Sequence, residues 1–193
     1  METIKLTKKD FNSNNEFIGS EEILTHNGNL EIDGNLGYVK FKFLNIKGYI
    51  YAEAGTGIEA GYGIKAGTRI EAGHGIEAGH GIKAGYGIEA GSGIEAGSGI
   101  EAGYGIKAGL YIKCRLKLSS GLRIFAGLCI WRYPEENEKI IECGKLEKGE
   151  ICFGNLNEIG INEEIKESNY EIDGVKYSES TLRSLIKKAT SSK

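Results

Sequence analysis

The chain has 193 residues, with 24 lysines and arginines against 27 aspartates and glutamates and a formal net charge of −3. That balance supplies no global attraction for nucleic acid or an anionic membrane, and no apolar run reaches the ~18 residues of a membrane span. It carries 30 glycines but a single proline, which excludes collagen, where glycine falls at every third place and proline is abundant.

Four cysteines, Cys114, Cys129, Cys143 and Cys152, show no CxxC spacing, so neither a zinc ribbon nor a redox pair is expected. The opening Met1-Glu2-Thr3-Ile4-Lys5-Leu6 lacks the basic-then-apolar layout of a signal peptide. Free thiols in a reducing cytoplasm follow as the expectation.

In chain order, Thr3-Ile4-Lys5-Leu6-Thr7 alternates as a short strand does. Leu30 and Ile32, then Val39, Phe41 and Phe43, alternate again, with a change of parity across Asp33-Gly34-Asn35 that reads as a hairpin. Residues 1–45 are therefore expected to form a β-rich N-terminal cap. It would cover the hydrophobic end and unpaired edge that a solenoid otherwise exposes.

Residues 56–109 are nine consecutive copies of the hexad x-Gly-Ile-(Glu/Lys)-Ala-Gly, and they hold 17 of the glycines. One copy departs, with Arg69 in place of the first glycine. Self-similarity at so short a period marks a repeat architecture. From Ile46 to Ile130 nearly every even position is apolar or small, including Ile58, Ala60, Leu116, Leu118, Leu122 and Ile124. Such alternation buries one face of a β-strand. The fold class is mainly β: a single-stranded β-solenoid over 46–130, three-sided, with 18 residues per coil. A two-sided coil of 12 residues is the alternative. The glycine pairs suit tight corners of positive φ. The x residues (Thr56, Tyr62, Thr68, His74, His80, Tyr86, Ser92, Ser98 and Tyr104) are placed at those corners facing water, since burial unpaired would cost on the order of 1–3 kcal/mol each.

An 18-residue coil stacks equivalent outward residues ~4.8 Å apart. Glu59, Glu77 and Glu95 then form one ladder, Glu53, Glu71 and Glu89 a second, and Lys47, Lys65 and Lys83 a third. Tyr86 falls under Tyr104, and with Tyr62 these tyrosines make a corner ridge of the residue type that interfaces favour. Ladders of like charge weaken a strand pair by tenths of a kcal/mol. They read either as unselected duplication or as acidic and basic stripes made to meet a partner.

Beyond the tract, Cys114 keeps the inward parity of a small core residue. Pro134 and the charged run after it end the regular pattern. Residues 131–193 are expected to form a small module. It has strands near 139–143 and 150–153, a hairpin around Asp173-Gly174, and a helix over 179–190 with a stripe of Leu182, Leu185, Ile186 and Ala189.

Catalysis and metal binding find little support. The histidines are His26, His74 and His80, of which the last two are ordinary x residues of adjacent hexads. A general base needs an orienting partner and a cleft, and a metal site needs further ligands in register. No cofactor, small-molecule substrate or membrane association is expected.

The tract resembles the hexapeptide-repeat left-handed β-helix, a resemblance that brings acyltransferases to mind. The opening ETIKLTKKDF, the GIEAG/GIKAG tract and the closing YEIDGVKYSESTLRSLIKKA together resemble proteins of prophages and mobile elements of low-GC bacteria. That second resemblance implies a non-enzymatic protein in the cytoplasm of a bacterial host, binding and inhibiting a host defence protein or ribonucleoprotein complex as anti-CRISPR proteins do. Alternatives are a phage structural component, such as a homo-oligomeric fibre segment, and an acyltransferase. The residues offered for partner binding are Lys47, Lys65, Lys83, Tyr62, Tyr86, Tyr104, Glu59, Glu77 and Glu95.

Overall fold

Each Ile-(Glu/Lys)-Ala triplet from Ile64–Ala66 to Ile106–Ala108 is a three-residue strand, its isoleucine and alanine buried and its charged residue turned outward. The computed structural model describes residues 2–160, together with the backbone of 170–172 and 175–177. Successive triplets take successive sides, so every third one stacks in parallel. On face I, Ile70 pairs with Ile88 and Ile88 with Ile106. On face II, Ile58 pairs with Ile76 and Ile76 with Ile94. On face III, Ile64 pairs with Ile82 and Ile82 with Ile100. The coil is three-sided with 18 residues, and the 12-residue alternative is excluded.

The core is a stack of isoleucine and alanine layers, with every tract isoleucine at most 1% exposed. Burial of each such side chain contributes roughly 1.5–3 kcal/mol. The corners are tied coil to coil by backbone bonds, as where His74 N donates to Thr56 O at 3.0 Å and Ser92 N to His74 O at 3.1 Å.

The tract glycines do not adopt positive φ, contrary to expectation; among the described residues the positive-φ glycines are Gly37, Gly55, Gly127, Gly149, Gly154 and Gly160. What the hexads require is close approach. A Cβ on Gly79 would lie 2.1 Å from Gly61 O, and one on Gly85 2.0 Å from Gly67 O. The other glycine of the pair is roomier: a Cβ on Gly87 would meet nothing nearer than Gly105 O at 3.5 Å. Arg69 replaces a glycine of this second kind, which is why the repeat tolerates it there.

The stacking continues beyond the tract on both sides. Asn29–Ile32, Gly37–Phe41 and Leu44–Ile46 pair in parallel with Ile50–Ala52, Thr56–Ala60 and Ile64–Ala66. The hairpin expected around Asp33-Gly34-Asn35 is therefore a solenoid corner. Leu30 and Val39 each bury against the coil below instead of against one another. Above this first coil, the rings of Phe11, Phe17 and Phe41 cluster at 5.5–6.0 Å. Thr7 and Asp10 cap a short 3-10 turn, Lys8–Asp10, beside them.

At the other end the ten-residue strand Lys117–Ala126 bends from face III to face I, with Leu118 on Ile100 and Ile124 on Ile106. Ile140–Cys143, Lys145–Phe153 and Asn155–Glu158 add further parallel strands. Tyr170–Ile172 pairs antiparallel with Val175–Tyr177, as the expected hairpin requires. The helix expected over 179–190 lies outside the described residues.

The early coils are longer than the tract's. Ile50 pairs with Ile70 and Leu44 with Ile64, steps two residues longer than that from Ile70 to Ile88. The surplus sits at the corner Glu53–Gly57, where Gly55 has φ +74°. There Thr56 turns inward and is 0% exposed. Its hydroxyl donates to Asp33 O at 2.7 Å and accepts from Leu36 N at 3.1 Å. Thr56 thus departs from the expected solvent-facing corner, because two hydrogen bonds offset its desolvation. Ser92 departs too, at 8% exposed, a small side chain in the column between His74 and Leu110.

Candidate functional site

Three corner columns follow from the 18-residue period. Thr56, His74, Ser92 and Leu110 line the corner entering face II; Tyr62, His80, Ser98 and Leu116 the corner entering face III; Thr68, Tyr86, Tyr104 and Leu122 the corner entering face I. Leu116 and Leu122, expected inside by parity, are 44% and 58% exposed because they occupy these corner places. Tyr86 and Tyr104 stack with ring centroids 5.2 Å apart and planes 14° from parallel. Tyr62 is not part of that ridge. It stands at a different corner with its ring 5.4 Å from that of His80.

The outward ladders are only partly those expected. Glu59, Glu77 and Glu95 stack on face II as predicted, and Lys40 and Lys113 continue the column at its two ends. Lys65 and Lys83 stack on face III, but the next place holds Asn45. Lys47 is displaced to the corner, its carbonyl 1.9 Å from where a Cβ on Gly67 would stand. Likewise Glu71 and Glu89 stack on face I, but Tyr51 precedes them and Glu53 lies at the long corner, 3.5 Å from Lys5. Both corrections have one cause, the two surplus residues at 53–57. Opposite charges also relieve the ladders: Lys83 pairs with Glu101 at 2.8 Å, and Lys107 pairs with Glu89.

The residues nominated for partner binding are thus spread over three faces rather than gathered in one patch. What gathers is a groove on face I, about 1010 Å³ in volume. Its floor is Gly87 and Gly105. The Tyr86–Tyr104 stack and Leu122 form one wall, and Glu71, Glu89, Lys107 and Phe125 the other. Arg69 and Arg123 close its two ends in the same column as the glycines. Arg69 is held by Glu71 at 3.0 Å and lies 5.8 Å over the ring of Tyr49. Arg123 and Lys148 also border the groove and make no ion pair among the described residues.

Arg69, Leu122, Arg123 and Phe125 were missed as site residues. Arg69 was visible as the one break in the repeat. Leu122 and Phe125 were reachable by carrying the period one coil past Tyr104 and Lys107.

The equivalent groove on face II is closed by the chain itself. Tyr38 lies over Gly57 and Gly75, its ring carbons 2.9 Å and its hydroxyl 2.1 Å from where their Cβ atoms would stand. Tyr111 lies over Gly93, with ring carbons 2.5–2.8 Å from that position. Burial first, then Glu77, pushes the Tyr38 phenol above its ordinary value, and burial with Glu95 and Glu77 does the same to Tyr111. The rings of His74 and Tyr38 stand perpendicular with centroids 5.0 Å apart.

Among the described residues no group of three or more metal-ligating side chains gathers, and no helix is long and apolar enough to cross a membrane. Comparisons with protein-family models, with curated proteins and with solved structures gave no match to this chain.

Proposed function

We propose that the chain is a non-enzymatic binding protein whose face I groove engages a macromolecular partner. The observation that carries this reading is the stacked Tyr86–Tyr104 pair, 53% and 54% exposed, beside an open groove with an apolar floor. Exposed tyrosine and arginine around a desolvated centre are the composition of interface hot spots. The strands beneath are short, fully paired and braced by the isoleucine stack, so the aromatic wall is held without conformational cost on binding.

The resemblance of the sequence to prophage proteins directs the choice of partner. A bacterial defence protein or ribonucleoprotein, met in the host cytoplasm and inhibited stoichiometrically in the manner of an anti-CRISPR protein, is the class to assay first. The test is the double variant Tyr86→Ser with Tyr104→Ser, which installs the residue that Ser92 and Ser98 already supply at corner places of the same repeat. Against a purified defence complex, affinity measured by interferometry is expected to fall at least about tenfold, or ~1.4 kcal/mol. Circular dichroism and thermal midpoint should stay as in the native chain. Unchanged affinity would remove this groove as the binding surface.

A further inference from the structure

Faces I and II carry the same architectural slot, a column of second-position glycines between a corner column and an outward ladder. On face II the slot is full: Tyr38 enters from one end and Tyr111 from the other, their rings lying on Gly57, Gly75 and Gly93. On face I the corresponding column runs Arg69, Gly87, Gly105, Arg123, and none of the described residues lies over its two glycines; a Cβ on either would meet only backbone, at 3.5 Å from Gly105 O and 3.3 Å from Arg123 O. The chain thereby shows what this kind of slot accommodates, and leaves two copies without an occupant among the described residues: this one and the Gly63, Gly81 and Gly99 column of face III, whose lining carries no tyrosine or arginine.

The borders differ as well. The filled slot runs beside Glu59, Glu77 and Glu95. The open one runs beside the Tyr86–Tyr104 stack and Phe125, with Arg123, Lys148 and Glu150 at one end, the two cations in no ion pair among the described residues. An aromatic ring set on the open floor would meet those rings at its edge or face, contacts of about 0.5–1.5 kcal/mol beyond area burial. The cations would attract carboxylates beside it.

We propose that the open face I slot is a seat for a tyrosine side chain carried by an acidic segment of a protein partner, bound as Tyr38 and Tyr111 bind their own glycines. This rests on the binding-protein reading above and specifies the chemistry of its partner. An acidic segment brings its aromatic ring to the floor and its carboxylates to Arg123 and Lys148. A nucleic acid, the other ligand that stacks on aromatic side chains beside cations, is the competing outcome.

The probe is a capped pentapeptide with one tyrosine between pairs of glutamates, titrated against the isotope-labelled full chain while the amide signals of Gly87 and Gly105 are followed. Saturable shifts at both are expected. The same peptide with leucine for tyrosine, and the one with lysines for glutamates, should each bind at least about tenfold more weakly. Gly87→Leu fills the seat from a backbone position with space for a side chain, and should abolish the shift at Gly105 while the signals of Gly57, Gly75 and Gly93 stay in place. Tyr38→Ala opens the sister seat, where the lysine-flanked tyrosine peptide should now shift Gly57 and Gly75. Equal binding of the tyrosine and leucine peptides, or shifts produced by a short oligothymidylate and not by the acidic peptide, would overturn the proposal. A partner that is lost by Tyr86→Ser with Tyr104→Ser but retained by Gly87→Leu would sink the ring seat alone and leave the binding reading standing.

Discussion

Tyr38 and Tyr111 belong to opposite ends of the tract yet close one glycine column between them, the first over Gly57 and Gly75 and the second over Gly93. The rings replace side chains that the repeat lacks, so they act as part of the structure. Tyr38→Ala should lower the free energy of unfolding by about 2 kcal/mol, the scale for a largely covered large apolar side chain. Tyr86→Ser, at an exposed corner, should change it by less than about 0.5 kcal/mol. Urea unfolding of the two variants beside the native chain makes the comparison, and equal losses would contradict it.

The two glycines of the hexad should respond oppositely to the same substitution. Gly79→Ala drives a methyl to 2.1 Å from Gly61 O. The backbone of both coils must then yield, at about 1–3 kcal/mol. Gly87→Ala meets only ordinary contact at 3.5 Å and should be neutral or stabilising by about 0.4–1 kcal/mol, through the reduced freedom of the unfolded chain. Thermal midpoints moving apart in these two directions would support the distinction; a shared loss would refute it.

Ile76 is 0% exposed in a column between Ile58 and Ile94. Ile76→Ala should cost about 2–5 kcal/mol and Ile76→Val about 0.5–1.5 kcal/mol, because neighbours held by coil-to-coil hydrogen bonds cannot collapse into the void. Chemical denaturation with native-state hydrogen exchange checks both, the exchange showing whether loosening spreads along the stack.

Cys114 and Cys143 are both buried. Burial, with Cys143 alongside, pushes the Cys114 thiol up to about 12, and burial with Glu158 nearby pushes Cys143 up to about 11, from an ordinary value of 9.0. Raised folded values mean that the unfolded chain releases these protons first. The stability they contribute is whole below pH 9 and is lost as pH climbs through 11 and 12. Cys114→Ala, which restores the alanine found at Ala78 and Ala96 in the same column, together with Cys143→Ala, should flatten the alkaline fall in melting temperature. In the native chain at pH 8 a thiol reagent should label Cys152 and Cys129 while sparing the buried pair until denaturant is added.

Much of this was legible in the residues because one physical rule, alternation about a buried face, runs unbroken through the tract. It placed Ile58 through Ile106 inside, stacked Tyr104 on Tyr86, and aligned Glu59 with Glu77 and Glu95. It failed at Lys47 and Glu53 because parity survives a two-residue insertion while register does not; both stay an even number of places from Lys65 and Glu71. It failed at Leu116 and Leu122 because a corner residue shares the parity of the strand interior and differs only in the turn of the backbone. The groove was illegible for a third reason. It is made by what is missing at Gly87 and Gly105, and its meaning depends on Tyr38, a residue outside the repeat that fills the equivalent space elsewhere.

Nine nearly interchangeable hexads confront the folding chain with an indexing problem, since sliding the thread by a whole coil puts isoleucine on isoleucine again. Thr56 resolves it. Its hydroxyl bridges Asp33 and Leu36, a pair of anchor points that occurs once, so a misthreaded stack would strand a buried hydroxyl with no mate. Thr56, an ordinary corner residue in the sequence but turned inward in the fold, is what distinguishes one register of the winding from the next.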